Sequence, residues 1–187
     1  MSSTDLHGWR PALIWVAAAG ANPQDVAESW FLDLAAPVPV GRTWHVVRVT
    51  RTLGCMALGR LTDQRAAVGP VLDVPLRGTI EFIVEVGAAP SWPNLHGTIA
   101  VGKGTSKLPA PHLLMGRADS RAQCGRRWLS RCRPEIIPHT DSATLAEALA
   151  ACAARLALAE YDSRPRRARS VRLLEGFAAA SRLRRSP

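Results

Sequence analysis

Lysine is nearly missing from this chain: of its 24 basic residues only Lys103 and Lys107 are lysines, and arginine supplies the rest. With Ala, Leu, Pro and Val abundant throughout, this is the bias of a GC-rich genome, so the high isoelectric point alone says little about partners. No run reaches the roughly 20 apolar residues that span a bilayer, which excludes a membrane bundle and makes the cytoplasm the default compartment. The four cysteines, Cys55, Cys124, Cys132 and Cys152, are scattered, and a chain of 187 residues needs no disulfide staple. Cys124 and Cys132 with His112 and His139 match none of the short paired zinc-ligand spacings, so no metal is expected. Pro11 to Ala21 has the length of a signal-peptide core, but the segment before it holds Asp5 and one cation, Arg10. The five histidines have no serine or cysteine partner at motif spacing, which leaves a nucleophile triad unsupported.

What is present is a globular composition, 47% apolar and 21% charged, with an uneven charge. Residues 1 to 115 carry 9 basic and 8 acidic groups, whereas residues 116 to 187 carry 15 and 7. Nearly all of the formal +9 therefore sits in the C-terminal third. Such a segment either attracts polyanions, nucleic acid first among them, or is a solvated basic tail.

Periodicity gives a mixed order of elements. Asn22-Pro23 opens a short amphipathic helix through Val26, Trp30 and Phe31. Pro37 to Val40 reads as an edge strand, Trp44 to Thr50 as a strand, and Leu53 to Leu61 as a helix. Val71 to Val74, Gly78 to Val86 and Thr98 to Val101 read as further strands, and Gly102 to Lys107 as a loop. The alternation after Gly78 puts Ile80, Phe82, Val84 and Val86 on one face and Thr79, Glu81, Ile83 and Glu85 on a partly wet one. Glu81 and Glu85, about 13 Å apart along a strand, are too distant to hold one metal and are expected in solvent. Thr144 to Tyr161 reads as a long helix with Leu145, Leu149, Cys152 and Leu156 on one stripe, its start marked by the capping-box spacing of Thr144 and Glu147.

Two basic segments invite an anion. Gly102-Lys103-Gly104 has the glycines that let a backbone approach phosphate, but it runs into prolines and completes neither a Walker nor a dinucleotide motif. Arg126, Arg127, Arg131 and Arg133 alternate with Trp128, as either a phosphate-binding strip with a stacking ring or a solvated face with one buried Trp.

The succession of segments carries more than any one of them. Asn22-Pro23-Gln24-Asp25-Val26 to Trp30, Pro39-Val40-Gly41-Arg42 into Trp44 to Val49, Gly54, Gly69-Pro70-Val71, Gly78 to Phe82, and Gly102-x-Gly104 with Pro109 and Pro111 together resemble the N-terminal domain of the bifunctional primase-polymerase family. The resemblance spans residues 20 to 134 and implies an archaeo-eukaryotic-primase type fold, with Mg²⁺-dependent nucleotidyl transfer on strand-borne acids and a histidine. Here the corresponding positions differ. Arg48 and Thr50 stand where an Asp-x-Asp pair belongs, with His45 beside them. Thr79 stands where the histidine belongs, and His96-Gly97 brings no carboxylate. An arginine at such a site repels Mg²⁺ and still attracts phosphate. The resemblance thus implies a degenerate domain with no catalytic residue and no cofactor, binding nucleic acid or nucleotide through Arg48, Lys103, Lys107, Arg126, Arg127 and Arg131.

The sequence accordingly predicts an α+β domain over residues 1–138, a mixed, largely antiparallel sheet with flanking helices, then a packed helix (139–162) and a basic tail (163–187). Two other functions compete with the degenerate reading. One is an active, Mg²⁺-dependent primase-polymerase with displaced acids, for which Asp73 and Glu81 are the candidates. The other is an interaction protein that docks a partner through the stripe of helix 144–161.

Overall fold

Prolines and small residues shape the N-terminal part. In the computed structural model, which describes residues 3–114, 125–130 and 133–163, the chain opens with helix α1 (Ser3–Ala18) despite Pro11 in its interior. Trp9, Ala12, Val16 and Ala19 recur at helical spacing and are all buried, so the run that resembles a signal-peptide core is part of the hydrophobic core. The sequence gives little hint of this helix, because an interior proline argues against one. Helix α2 (Pro23–Phe31) follows as expected: Pro23 needs no N–H at the first turn, and the Asn22 side chain accepts from the Gln24 N–H at 3.1 Å.

Two sheets follow, antiparallel throughout. Strand β1 (Ala36–Val40) pairs with β6 (Gly104–Leu108), a segment expected to be a loop. Ala36, Val38 and Val40 point inward opposite Leu108, Ser106 and Gly104, whereas Pro37 and Pro39 sit outward on an edge where a missing N–H is tolerated. The five-stranded sheet has the order β5-β2-β4-β3-β7, built from β2 (His45–Thr50), β3 (Val71–Val74), β4 (Thr79–Val84), β5 (Thr98–Val101) and β7 (Arg127–Trp128). The fold is α+β with flanking helices, as the sequence predicts.

Both faces of the large sheet are covered. One face carries Val46, Leu72, Ile83 and Trp128 into a single core with β1, β6, α1 and α2. Over the other lies helix α3 (Arg51–Asp63), burying Leu53, Ala57 and Leu61. Gly54 permits that approach, since a Cβ there would stand 2.8 Å from the Ile80 Cβ. A short helix α4 (Ala88–Ser91) leads toward β5.

Helix α5 (Ser142–Ser163) begins inside the sheet unit. The Thr140 N–H donates to Ile83 O at 2.8 Å, and Glu85 accepts from Ser142 N–H at 3.1 Å. Leu145, Ala148, Leu149 and Cys152 are buried, and the first compact unit runs to Cys152. Thr144 does not begin the helix. It is the third helical residue, donating its N–H at 2.7 Å to Asp141, the residue that caps it. From Ala153 a second unit starts, and in its described part Leu158 and Tyr161 are exposed. By length and composition Ser142–Asp162 is long and apolar enough to cross a membrane, although Glu147, Arg155 and Glu160 interrupt its apolar run. Its first half nevertheless buries Leu145 and Leu149 completely, as a core helix does. The basic tail after residue 163 lies outside the described residues.

Candidate functional site

The strand register decides which predicted site residues meet. Arg48 is paired with Glu81 across β2 and β4, and Thr50 with Thr79. Alternation places all four on the face that receives β1 and β6. His45, three residues from Arg48, turns to the other face, where its Nδ1 accepts the Ala89 N–H at 3.0 Å. His96 is exposed in the loop before β5, and its neighbour Gly97 accepts the Thr50 N–H at 2.9 Å. Of the five positions where the resemblance implies a lost catalytic set, Arg48, Thr50 and Thr79 therefore share a face, His96 lies at their edge, and His45 does not join them.

Glu81 is the centre of that face. It is 0% exposed, contrary to the expectation that it is solvated, because the face called wet is closed by the second sheet. Arg48 Nε lies 2.8 Å from its Oε1, and the Ser106 hydroxyl donates to Oε2 at 2.9 Å. Arg126 Nη1 approaches Oε2 at 3.8 Å and Arg77 Nη1 approaches Oε1 at 3.9 Å. Three guanidiniums thus surround one carboxylate. Arg77 is the most open of them, its side chain 54% exposed, against 10% for Arg126, which also donates to Lys107 O at 3.1 Å. The Thr79 hydroxyl is buried two residues from Glu81 without a hydrogen-bond partner. Glu85, also expected in solvent, is half-buried at the start of α5.

Asp73, the second acid of the active alternative, is likewise 0% exposed but belongs to the opposite face, paired in register with Ile80 and Arg127. Arg51 grips both its oxygens, and Arg127 Nε adds a contact at 3.2 Å. The hydrogen bond to Asp73 and its charge raise the Arg51 guanidinium further above its ordinary pKa. A two-ion site needs carboxylates converging on a common point, and these two acids stand on opposite sides of a sheet, each neutralised by arginine. They do not fit a Mg²⁺ pair. Among the described residues no group of three His, Cys, Asp or Glu is arranged to hold a metal ion.

The remaining basic candidates scatter. Lys107 points outward from β6, since Ser106 and Leu108 point in. Lys103 is exposed in the turn after β5 beyond Gly102, which packs near His45; at about 3.3 Å per residue that is roughly 10 Å along β2 from Arg48. Arg127 serves Asp73, and Arg133 is exposed. Trp128 is buried with its Nε1 donating to Pro109 O at 3.1 Å, so it is a core residue and no stacking platform. Arg131, Cys124 and Cys132 lie outside the described residues. Arg51 and Arg77 were not among the sequence candidates. Arg77 stands four residues before Glu81, and that interval pairs two side chains here only because a 3₁₀ turn, Pro75–Arg77, folds the chain back.

The chain matches no family model, no curated protein and no solved structure. The primase-polymerase resemblance therefore remains an expectation drawn from the order of its segments.

Proposed function

We propose that the chain is a primase-polymerase-like module that binds a phosphate-bearing ligand, nucleic acid or nucleotide, without transferring nucleotides. The observation that supports this reading is the ring of Arg48, Arg77 and Arg126 around Glu81, on the face where the resemblance implies a carboxylate site. Two of the three guanidiniums reach solvent, Arg77 with its side chain 54% exposed and Arg48 with 25%, so they can meet an incoming anion. Guanidinium forks suit phosphate oxygens and are weakly hydrated, so a phosphate competes well for them. The basic C-terminal third adds long-range attraction. In this reading the protein works in the cytoplasm.

Fluorescence anisotropy with a labelled single-stranded oligonucleotide tests the proposal. Binding should weaken linearly in log–log form with salt, because each phosphate contact releases counterions. Arg77→Ala should lower affinity and reduce that slope, with the fold intact. Salt-independent binding, or none in low salt, overturns the reading. Primer extension with Mg²⁺ or Mn²⁺ decides against the active alternative if no product forms, and for it if product forms and disappears in Glu81→Gln.

In a third reading helix 144–161 is a docking module; of its stripe Leu145, Leu149 and Cys152 are buried and Leu156 is half-buried.

A further inference from the structure

We propose that the second compact unit, Ala153–Pro187, binds the surface of an anionic membrane, lying on the bilayer without crossing it. This is independent of the phosphate-binding reading, which rests on arginines of the first unit.

The end of α5 supplies an apolar face. Ala154, Ala157, Leu158 and Tyr161 follow one another at the three- and four-residue intervals of one helical stripe, and all four are exposed. Leu158 is 64% exposed and Tyr161 57%. The charged residues of this stretch, Arg155, Glu160 and Asp162, fall to the sides of the stripe. A helix ordinarily turns such a face toward a core, as the first half of α5 does with Leu145, Leu149 and Cys152. This half turns it to water.

The charge follows directly. Residues 153–187 carry nine arginines against three acids, a net +6 of the chain's formal +9. Arg164, Arg166, Arg167 and Arg169 come immediately after the stripe. The order along the chain is thus aliphatic, then tyrosine, then arginine. A membrane interface has the same order, from acyl chains through the headgroup level, where tyrosine is enriched, to the anionic surface that draws polybasic segments. Interfacial helices bind by the sum of the apolar area they bury and their attraction to anionic lipid, and this unit offers both. Nucleic acid would meet the same arginines, but a phosphate backbone gives Leu158 no apolar surface to bury against.

Length and burial decide against a span. From Ala153 to Ser163 the helix runs about 16 Å at roughly 1.5 Å per residue, half of a hydrocarbon core of about 30 Å. Leu145 and Leu149, which precede it, are fully buried in protein.

Cosedimentation of the full chain with vesicles tests the proposal. Vesicles of equimolar phosphatidylcholine and phosphatidylglycerol should pellet the protein, and phosphatidylcholine alone should not. Leu158→Gln, neutral and at an exposed position, should weaken that binding about tenfold with no change in thermal midpoint, the loss expected when one leucine is withheld from the bilayer. The combined Arg164→Gln, Arg166→Gln, Arg167→Gln and Arg169→Gln variant should weaken it by about a hundredfold or more. A single-stranded oligonucleotide should bind the parent and Leu158→Gln equally. The proposal is overturned if the anionic vesicles pellet no protein, if neutral vesicles pellet as much, or if the four-arginine variant binds as the parent does. It is equally overturned if Leu158→Gln binds vesicles as tightly as the parent, since the arginines would then be meeting polyanions in general. Arg77→Ala should leave vesicle binding intact, so this inference and the phosphate-binding reading fail separately.

Discussion

Arg48 stands directly opposite Glu81 across the β2–β4 ladder, and the 2.8 Å contact between them joins the face of the large sheet that β6 closes through Ser106. The pair fixes the electrostatic character of the candidate site. Glu81 cannot be both the counter-ion of three arginines and a free metal ligand.

Replacing that carboxylate with its neutral isostere is therefore informative in sign. Glu81→Gln keeps shape but removes the charge shared by Arg48, Arg77 and Arg126. Stability should fall by about 1–3 kcal/mol, the scale of hydrogen bonds to charged groups, in a urea titration. Affinity for a single-stranded oligonucleotide should rise several-fold, because the guanidiniums lose their internal partner. A catalytic or metal-binding Glu81 would give loss of function instead.

The opposite face behaves differently. Asp73→Ala leaves Arg51 and Arg127 with no counter-charge beside a fully buried position, and removing one partner of such a set costs about 3–5 kcal/mol. Because Arg51 is well exposed, the loss should lie at the lower end of that range. Oligonucleotide affinity should change little after correction for the folded fraction. A chevron or equilibrium melt, paired with anisotropy on the same sample, separates the two effects.

Gly54→Ala should destabilise through overpacking. The added methyl falls 2.8 Å from the Ile80 Cβ on the rigid sheet, and neither α3 nor β4 can move without disturbing Leu53 and Ala57. About 1–3 kcal/mol is the usual cost of such a misfit. Denaturant midpoints of the variant and the parent measure it.

Acid should act through the cap of α5. Hydrogen bonds from the Thr144 hydroxyl and backbone N–H hold the Asp141 carboxyl below its ordinary pKa. A depressed folded value means that the cap's contribution is complete above the unfolded pKa of about 3.9 and is lost as pH falls through the lower folded value. Asp141→Ala should cost about 1 kcal/mol at pH 7, as the loss of an N-cap does, with exposure to solvent keeping the charge component small. The difference from the parent should shrink below pH 4, which urea melts at pH 7 and pH 3 would show.

Much of the fold is legible in the chain itself. The Asn22-Pro23 cap, the β-branched run from His45 to Thr50 and the alternation after Gly78 each point to the element that forms, because propensity and burial agree there. Where they disagree the reading fails. Pro11 hides α1, whose helix is held by burying Trp9, Ala12 and Val16. Gly104 to Leu108 looks like a loop, yet becomes a strand because β1 offers it an open ladder.

The candidate site divides along the same line. Composition and order determined that this protein is an α+β domain and that its charge is concentrated toward the C-terminus. Tertiary structure alone decided that Glu81 is enclosed by Arg48, Arg77 and Arg126 while Asp73 faces away with Arg51 and Arg127. The reason is the two-residue period of a strand: it sets which side a residue takes, but whether that side meets water, a second sheet or a helix depends on segments far away in sequence.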